Sequence, residues 1–81
     1  MYYVYLLECA DKSIYTGITT DVKRRLAEHK AGTASHYTSA KKARRILHTE
    51  KLKDRSAALR REAEIKRMSR AHKLALVRSQ G

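Results

Sequence analysis

The chain contains no proline, three glycines (Gly17, Gly32 and Gly81) and one cysteine, Cys9. So little Pro and Gly leaves no low-complexity linker, and a lone cysteine excludes an internal disulfide and a Cys-rich zinc site. Cys9 therefore reads as a small buried strand residue. No apolar run approaches the ~18 residues of a membrane span, and Met1 leads into a strand-like pattern without a basic leader. A reducing, cytoplasmic setting with no membrane partner is expected. Acidic residues are scarce as well: 8 Asp+Glu stand against 19 Lys+Arg, giving a net charge of +11 over 81 residues. The basic residues run from Lys12 to Arg78 instead of collecting in one tail. Such a surface concentrates polyanions, of which nucleic acid is the commonest. Solubility alone is the alternative, but mixed-sign surfaces achieve it without so large an excess.

What is present predicts one α+β domain over residues 1–81, with a small three-stranded antiparallel sheet flanked by about three helices. Tyr2 to Cys9 is aromatic, branched and almost continuously apolar, the pattern of a strand packed on both faces. Ala10-Asp11-Lys12 is polar punctuation, and Ser13 to Ile18 resumes a strand, so the two form a hairpin. Tyr5 and Tyr15 share a face if paired positions sum to an even number. That requires a three- or five-residue loop or a bulge, because a two-residue turn at Asp11-Lys12 would separate the hydroxyls. Gly17, isolated in a strand, signals a bulge or the close approach of another group.

A helix then starts at Thr20 or Asp21 as N-cap, carries Val22 and Leu26 at i, i+4, and stops at Gly32. Arg25 and His29 share one face of it. From Ala31 to Lys42 no period holds, which predicts a loop with His36 and Tyr37 at its middle and Lys41, Lys42, Arg44 and Arg45 at its end. Such a loop can stack on a base and hold phosphates, or can simply be solvated. Arg45 to Glu50 reads as a third strand in which His48 alternates with Ile46 and is structural. Asp54 or Ser56 caps a helix from Ala57 to about Lys66, with apolar positions Ala58, Leu59, Ile65 and then Met68. Ser69 caps a last helix, Arg70 to Arg78, whose Leu74 and Val77 complete the core.

Glu62 lies inside the apolar stripe, i+4 from Ala58 and i−3 from Ile65, whereas Glu64 faces away. A core-side carboxylate costs several kcal/mol in desolvation unless an arginine pairs with it or a metal takes it. Both solutions remain open at the sequence level. Of the eight acids only Glu62 occupies such a position, which argues for one metal ion over two, since two-metal sites need clustered carboxylates.

With these residues placed, the chain resembles the GIY-YIG nucleases, and among them the small stand-alone bacterial endonuclease branch. Tyr3-Val4-Tyr5 stands at the first motif and Tyr15-Thr16-Gly17 at the second. Arg25 follows the motif glycine by eight, His29 by twelve, and Glu62 falls in an Ala-Leu-Arg-Arg-Glu segment. Tyr3 replaces the first motif's glycine and Thr16 the second motif's isoleucine. The resemblance implies metal-dependent hydrolysis of DNA, structure-selective or of low sequence specificity, in repair, recombination or processing, with RNA as a possible substrate. It implies Tyr5 as general base or water positioner, Tyr15 as its hydrogen-bonding partner, Arg25 on the scissile phosphate, and Glu62 holding a single Mg²⁺ or Mn²⁺. His29 could be a base, a phosphate donor or an exposed helix residue. Gly17, His36, Tyr37, Lys41, Lys42, Arg44 and Arg45 form the expected nucleic-acid face.

Tyrosine at its ordinary pKa of about 10 is only about one part in a thousand ionised near pH 7, so a neighbouring cation is expected to lower that of Tyr5. Standing alone, Tyr5 and Tyr15 would be ordinary core residues. The competing functions are a non-catalytic basic module that binds DNA or RNA on the same fold, and a small RNA- or ribosome-associated basic protein.

Overall fold

The computed structural model describes residues 1–79. Strands β1 (Tyr2–Cys9), β2 (Ile14–Thr19) and β3 (Ala43–Leu52) form an antiparallel sheet in the order β2-β1-β3. Helices α1 (Val22–Ala31) and α2 (His36–Lys41) separate β2 from β3, and α3 (Arg55–Lys66) and α4 (Arg70–Ser79) follow. β1 is central, which is why its sequence is apolar on both faces. Val4 and Leu6 pack with Ala58 and Ile65 on one side, while Tyr5, Leu7 and Cys9 pack with Tyr15, Leu26 and Ile46 on the other. Helices α3 and α4 therefore cover one face of the sheet, and α1 and α2 the other.

The hairpin register pairs Tyr5 with Gly17 and Leu7 with Tyr15, sums that are even as the shared face demands. Cys9 N–H donates to the Ser13 carbonyl at 2.9 Å and Lys12 N–H to the Cys9 carbonyl at 2.9 Å, so Ala10-Asp11-Lys12 is a three-residue loop. Lys12 takes a left-handed φ of 71°, the conformation that the third residue of such a loop needs to match the strand twist. The loop is held from outside by an ion pair of Lys41 with Asp11 (2.9 Å) and by Arg70, whose Nη1 donates to the Lys12 carbonyl (2.7 Å).

The helix ends follow their capping residues. Asp21 caps α1 by accepting from Arg24 N–H, and Gly32 closes it at φ 81°. Asp54 caps α3 through Ala57 N–H. Four sequence expectations are corrected. The predicted loop from Ala31 to Lys42 contains α2, capped by Ser35 through Thr38 N–H. Its only buried residue is a threonine, so it shows no apolar period. A register shift between Leu6 and Leu7 pairs Leu6 with His48 but Leu7 with Ile46, which puts His48 and Ile46 on opposite faces instead of one. His48 is buried and hydrogen-bonds Glu50 at 2.8 Å. Leu59 is exposed rather than part of the α3 core stripe. On α4 the core contact is made by Leu76 and Val77 in place of Leu74 and Val77.

Candidate active site

Gly17 sets the geometry of the site. A Cβ built on it would lie 2.5 Å from Oη and 2.7 Å from Cζ of Tyr5, and 3.1 Å from Cε2 of Tyr15. The Tyr5 ring therefore lies across its own strand partner, over the backbone of the edge strand. The close approach expected at this glycine is made by a side chain of the protein itself. Tyr5 is 1% exposed, and its ring meets that of Tyr15 at a centroid distance of 6.3 Å.

Helix α1 brings the next two groups. Its residues 25 and 29 are one turn apart and face the sheet because Leu26 anchors the helix beside them. His29, buried, places Nε2 2.7 Å from the Tyr5 hydroxyl. The hydrogen-bonding partner of Tyr5 is thus His29 and not Tyr15, whose ring instead packs edge-on against His29 at 5.2 Å. Arg25 is half-buried, with Nη1 bonded to Glu28 at 2.9 Å. Its charge acts on Tyr5, lowering the phenol, yet its buried Nε makes no hydrogen bond.

Burial outweighs charge at Tyr5. Desolvation pushes the phenol up to about 12, and the hydrogen-bonding influence of Arg25 only partly opposes this. Arg25 acts on Tyr5 in the expected direction and lowers it, but a single guanidinium shared with Glu28 does not offset the loss of water. His29 is lowered below its ordinary 6.5, first by burial and then by Arg25. The pair at neutral pH is a protonated phenol facing a neutral imidazole.

Glu62 belongs to the opposite layer. Its side chain is 18% exposed, and its carboxylate pairs with Lys66 at 3.5 Å. It makes no hydrogen bond with Tyr5, but its charge is felt there, as the smallest of the influences that raise the phenol. Among the described residues no three His, Cys, Asp or Glu side chains cluster to cage a metal. Mg²⁺ seldom needs such a cage, since it keeps several waters and takes one or two carboxylates plus substrate phosphates. A single partly buried carboxylate, held only by a flexible lysine, fits an ion that arrives with substrate.

The expected nucleic-acid face divides. Tyr37 is 41% exposed and its ring packs against Tyr15 at 5.7 Å, so it joins the site. Lys42 and Arg44 are exposed without an ion pair among the described residues, while Lys41 pairs with Asp11 and Arg45 with Glu8 at 2.9 Å. His36 is exposed and takes no part in the cluster. A concavity of about 600 Å³ opens beside the cluster and is lined by Tyr3, Val22, Leu26 and Thr49 among others. Tyr3 is an ordinary strand residue with negative φ, which explains why a side chain is tolerated where the first motif has glycine. Thr16 faces the other layer, buried, with its hydroxyl unpartnered.

Sequence reasoning missed Thr38, whose Oγ1 lies 2.7 Å from Nδ1 of His29 and which is fully buried. The one signal was the Ser35-x-x-Thr38 spacing of a capped helix start, hidden in a stretch without hydrophobic period.

A family model described as the GIY-YIG catalytic domain matches residues 1–75. A UPF0213 protein of Natronomonas pharaonis is 51% identical over 76 residues, covering 94% of this chain and 89% of that one. A UPF0213 protein of Syntrophus aciditrophicus is 46% identical over 77 residues, covering 94% and 88%. The solution NMR structure of a UPF0213 protein from Bacillus halodurans superposes with a TM-score of 0.63 at 43% identity, covering all of this chain and 87% of that one. The tyrosines, arginine and glutamate that suggested the resemblance are carried on the matching fold, and the chain belongs to the GIY-YIG family.

Proposed function

We propose that the protein is a metal-dependent endonuclease that hydrolyses phosphodiester bonds in DNA, selecting structure more than sequence. The observation that carries this is the Tyr5 hydroxyl held over Gly17, 2.7 Å from a buried histidine nitrogen and beside an arginine. At a pKa of about 12, roughly one Tyr5 in a hundred thousand is ionised at pH 7. A standing phenolate is therefore not the base. Tyr5 instead takes a proton from the attacking water as it gives its own to Nε2 of His29, which is neutral and able to accept it. The water's O–H bond breaks as its oxygen bonds to phosphorus, the bond to the 3′ oxygen breaks, and that oxygen takes a proton from solvent.

Arg25 directs guanidinium donors at the phosphate oxygens that gain charge in the transition state. Glu62 would hold the divalent ion, Mg²⁺ or Mn²⁺, which when bound neutralises phosphate charge. Tyr15 and His29 wall the phenol in, and Tyr37 with Lys42 and Arg44 extends the surface along the nucleic-acid strand.

The test is incubation with labelled DNA and RNA of branched, flapped, single-stranded and duplex form, with Mg²⁺, Mn²⁺ or EDTA. Metal-dependent cleavage is expected, reduced about 10²- to 10³-fold in Glu62→Ala and in Arg25→Ala. Undiminished cleavage by these variants would refute the residue assignment. Salt-sensitive binding with no substrate cut would identify a binding module instead.

A further inference from the structure

The hydrogen bonds around Tyr5 assign a tautomer. Among the described residues the Tyr5 hydroxyl has one hydrogen-bond partner, His29, and the neighbouring Arg25 carries donors only, so the phenolic O–H has a single acceptor to find. Nε2 of His29 lies 2.7 Å away. A neutral imidazole that accepts at Nε2 carries its hydrogen on Nδ1, which faces Oγ1 of Thr38 at 2.7 Å. The Thr38 hydroxyl then donates onward to Ser35, whose Oγ lies at 3.0 Å and whose carbonyl lies at 3.4 Å. In this arrangement each donor meets an acceptor. In the opposite one, Nε2–H points at the Tyr5 oxygen and the phenolic hydrogen is left without an acceptor. Tyr5, His29 and Thr38 are each at most 1% exposed, so water does not relieve that conflict.

We propose that Thr38 is a positioning residue that holds His29 in its Nδ1–H tautomer and so keeps Nε2 free to accept the proton that Tyr5 gives up. The consequence for catalysis rests on the nuclease function proposed above; the tautomer itself does not. Helix α2 is built for this placement. Thr38 is its one buried side chain, and Ser35 both caps the helix through Thr38 N–H at 3.1 Å and receives the Thr38 hydroxyl. Valine would fill the same space but could not accept from Nδ1. Once protonated, His29 keeps Nδ1–H on the Thr38 oxygen. It also lines a cavity of about 280 Å³ with Lys30, Thr38, Ser39 and Lys42.

The groups that face His29 are Arg25 and Glu28 from α1, Tyr5 from β1, Tyr15 from β2 and Thr38 from α2, with Lys42 on the cavity wall. Two-bond ¹H–¹⁵N spectra of the full chain at neutral pH read the tautomer without any substrate. Nδ1 is expected to show a protonated-type shift and Nε2 an unprotonated one. Thr38→Val is expected to mix or invert that pattern and lower kcat about tenfold or more with KM nearly unchanged, the behaviour of a base left in the wrong tautomer. It also moves the acid limb of the rate profile, and Thr38→Ser restores both. A wild-type His29 protonated at Nε2 overturns the proposal, as does a folded Thr38→Val that keeps tautomer and rate. If Thr38→Val does not fold, the wild-type spectrum and Thr38→Ser decide. An Nδ1–H tautomer in a wild type that cuts nothing would refute the nuclease function while upholding the role of Thr38.

Discussion

Tyr5 can lie across the sheet only because residue 17 has no side chain. In Gly17→Ala the new Cβ meets Oη and Cζ of Tyr5 inside contact distance, and the ring must move. The expected outcome is a loss of about 1–3 kcal/mol in urea unfolding together with a fall in cleavage larger than the stability loss explains, since the phenol leaves His29. Thr16 tests the other motif position. Its buried hydroxyl has no partner, so Thr16→Val, similar in shape, is expected to raise stability by about 1 kcal/mol by removing an unsatisfied group. The same unfolding measurement checks it, and a neutral or negative change would mean that the hydroxyl has a partner in solution. Tyr5, Tyr15, Arg25 and Glu62 were legible as residues because type and spacing select them. The pairing of Tyr5 with His29 was not, because two side chains 24 positions apart meet only through the packing of α1 on the sheet. The ionisation of Tyr5 was missed for the same reason: burial, which dominates it, is a property of the fold.

At the scale of elements, the hairpin loop governs whether the two tyrosines share a face. Lys12 occupies a left-handed position that glycine adopts without steric cost. Lys12→Gly keeps the carbonyl that Arg70 binds and is expected to raise stability by up to about 1 kcal/mol, with cleavage unchanged; a lower melting temperature would show that the Lys12 side chain itself braces the loop. The three strands and the capped helices α1, α3 and α4 were legible from apolar period and cap residues. Helix α2 was not. Its six residues bury one polar side chain, so nothing in the hydrophobic pattern marks it, and its stability comes from the Ser35 cap and from Thr38 bonded to His29. The break in alternation between Ile46 and His48 was equally hidden, because a bulge is fixed by how β3 pairs with β1 and not by β3 alone.

Across the whole molecule, ionisation predicts a stability plateau with two edges. His29 is lowered below 6.5 by burial and Arg25, and Glu50 is lowered below 4.5 by its hydrogen bonds to Arg61 against the effect of burial. Groups lowered in the folded state bind more protons when unfolded, so their contribution is complete above the unfolded value and lost as pH falls through the folded one. Stability should begin to decline below about pH 6.5 and decline further below about 4.5. Cys9 is raised above 9.0 and Tyr5 above 10.0, both chiefly by burial, and their contributions are lost as pH rises beyond those values. Melting temperature should therefore be highest between about pH 6.5 and 9; a maximum at pH 5 would contradict the neutral buried state of His29. No helix among the described residues is long and apolar enough to cross a membrane. The net charge of +11, the apolar strand pattern of Tyr2 to Cys9, and the residue types able to bind phosphate are local or additive properties, and the amino-acid sequence determined them by itself. Which groups touch, and what burial does to their protons, depend on contacts between distant segments. Only the tertiary structure decided that Tyr5 lies over Gly17 as a protonated phenol, facing a histidine held by a threonine from a helix with no hydrophobic period.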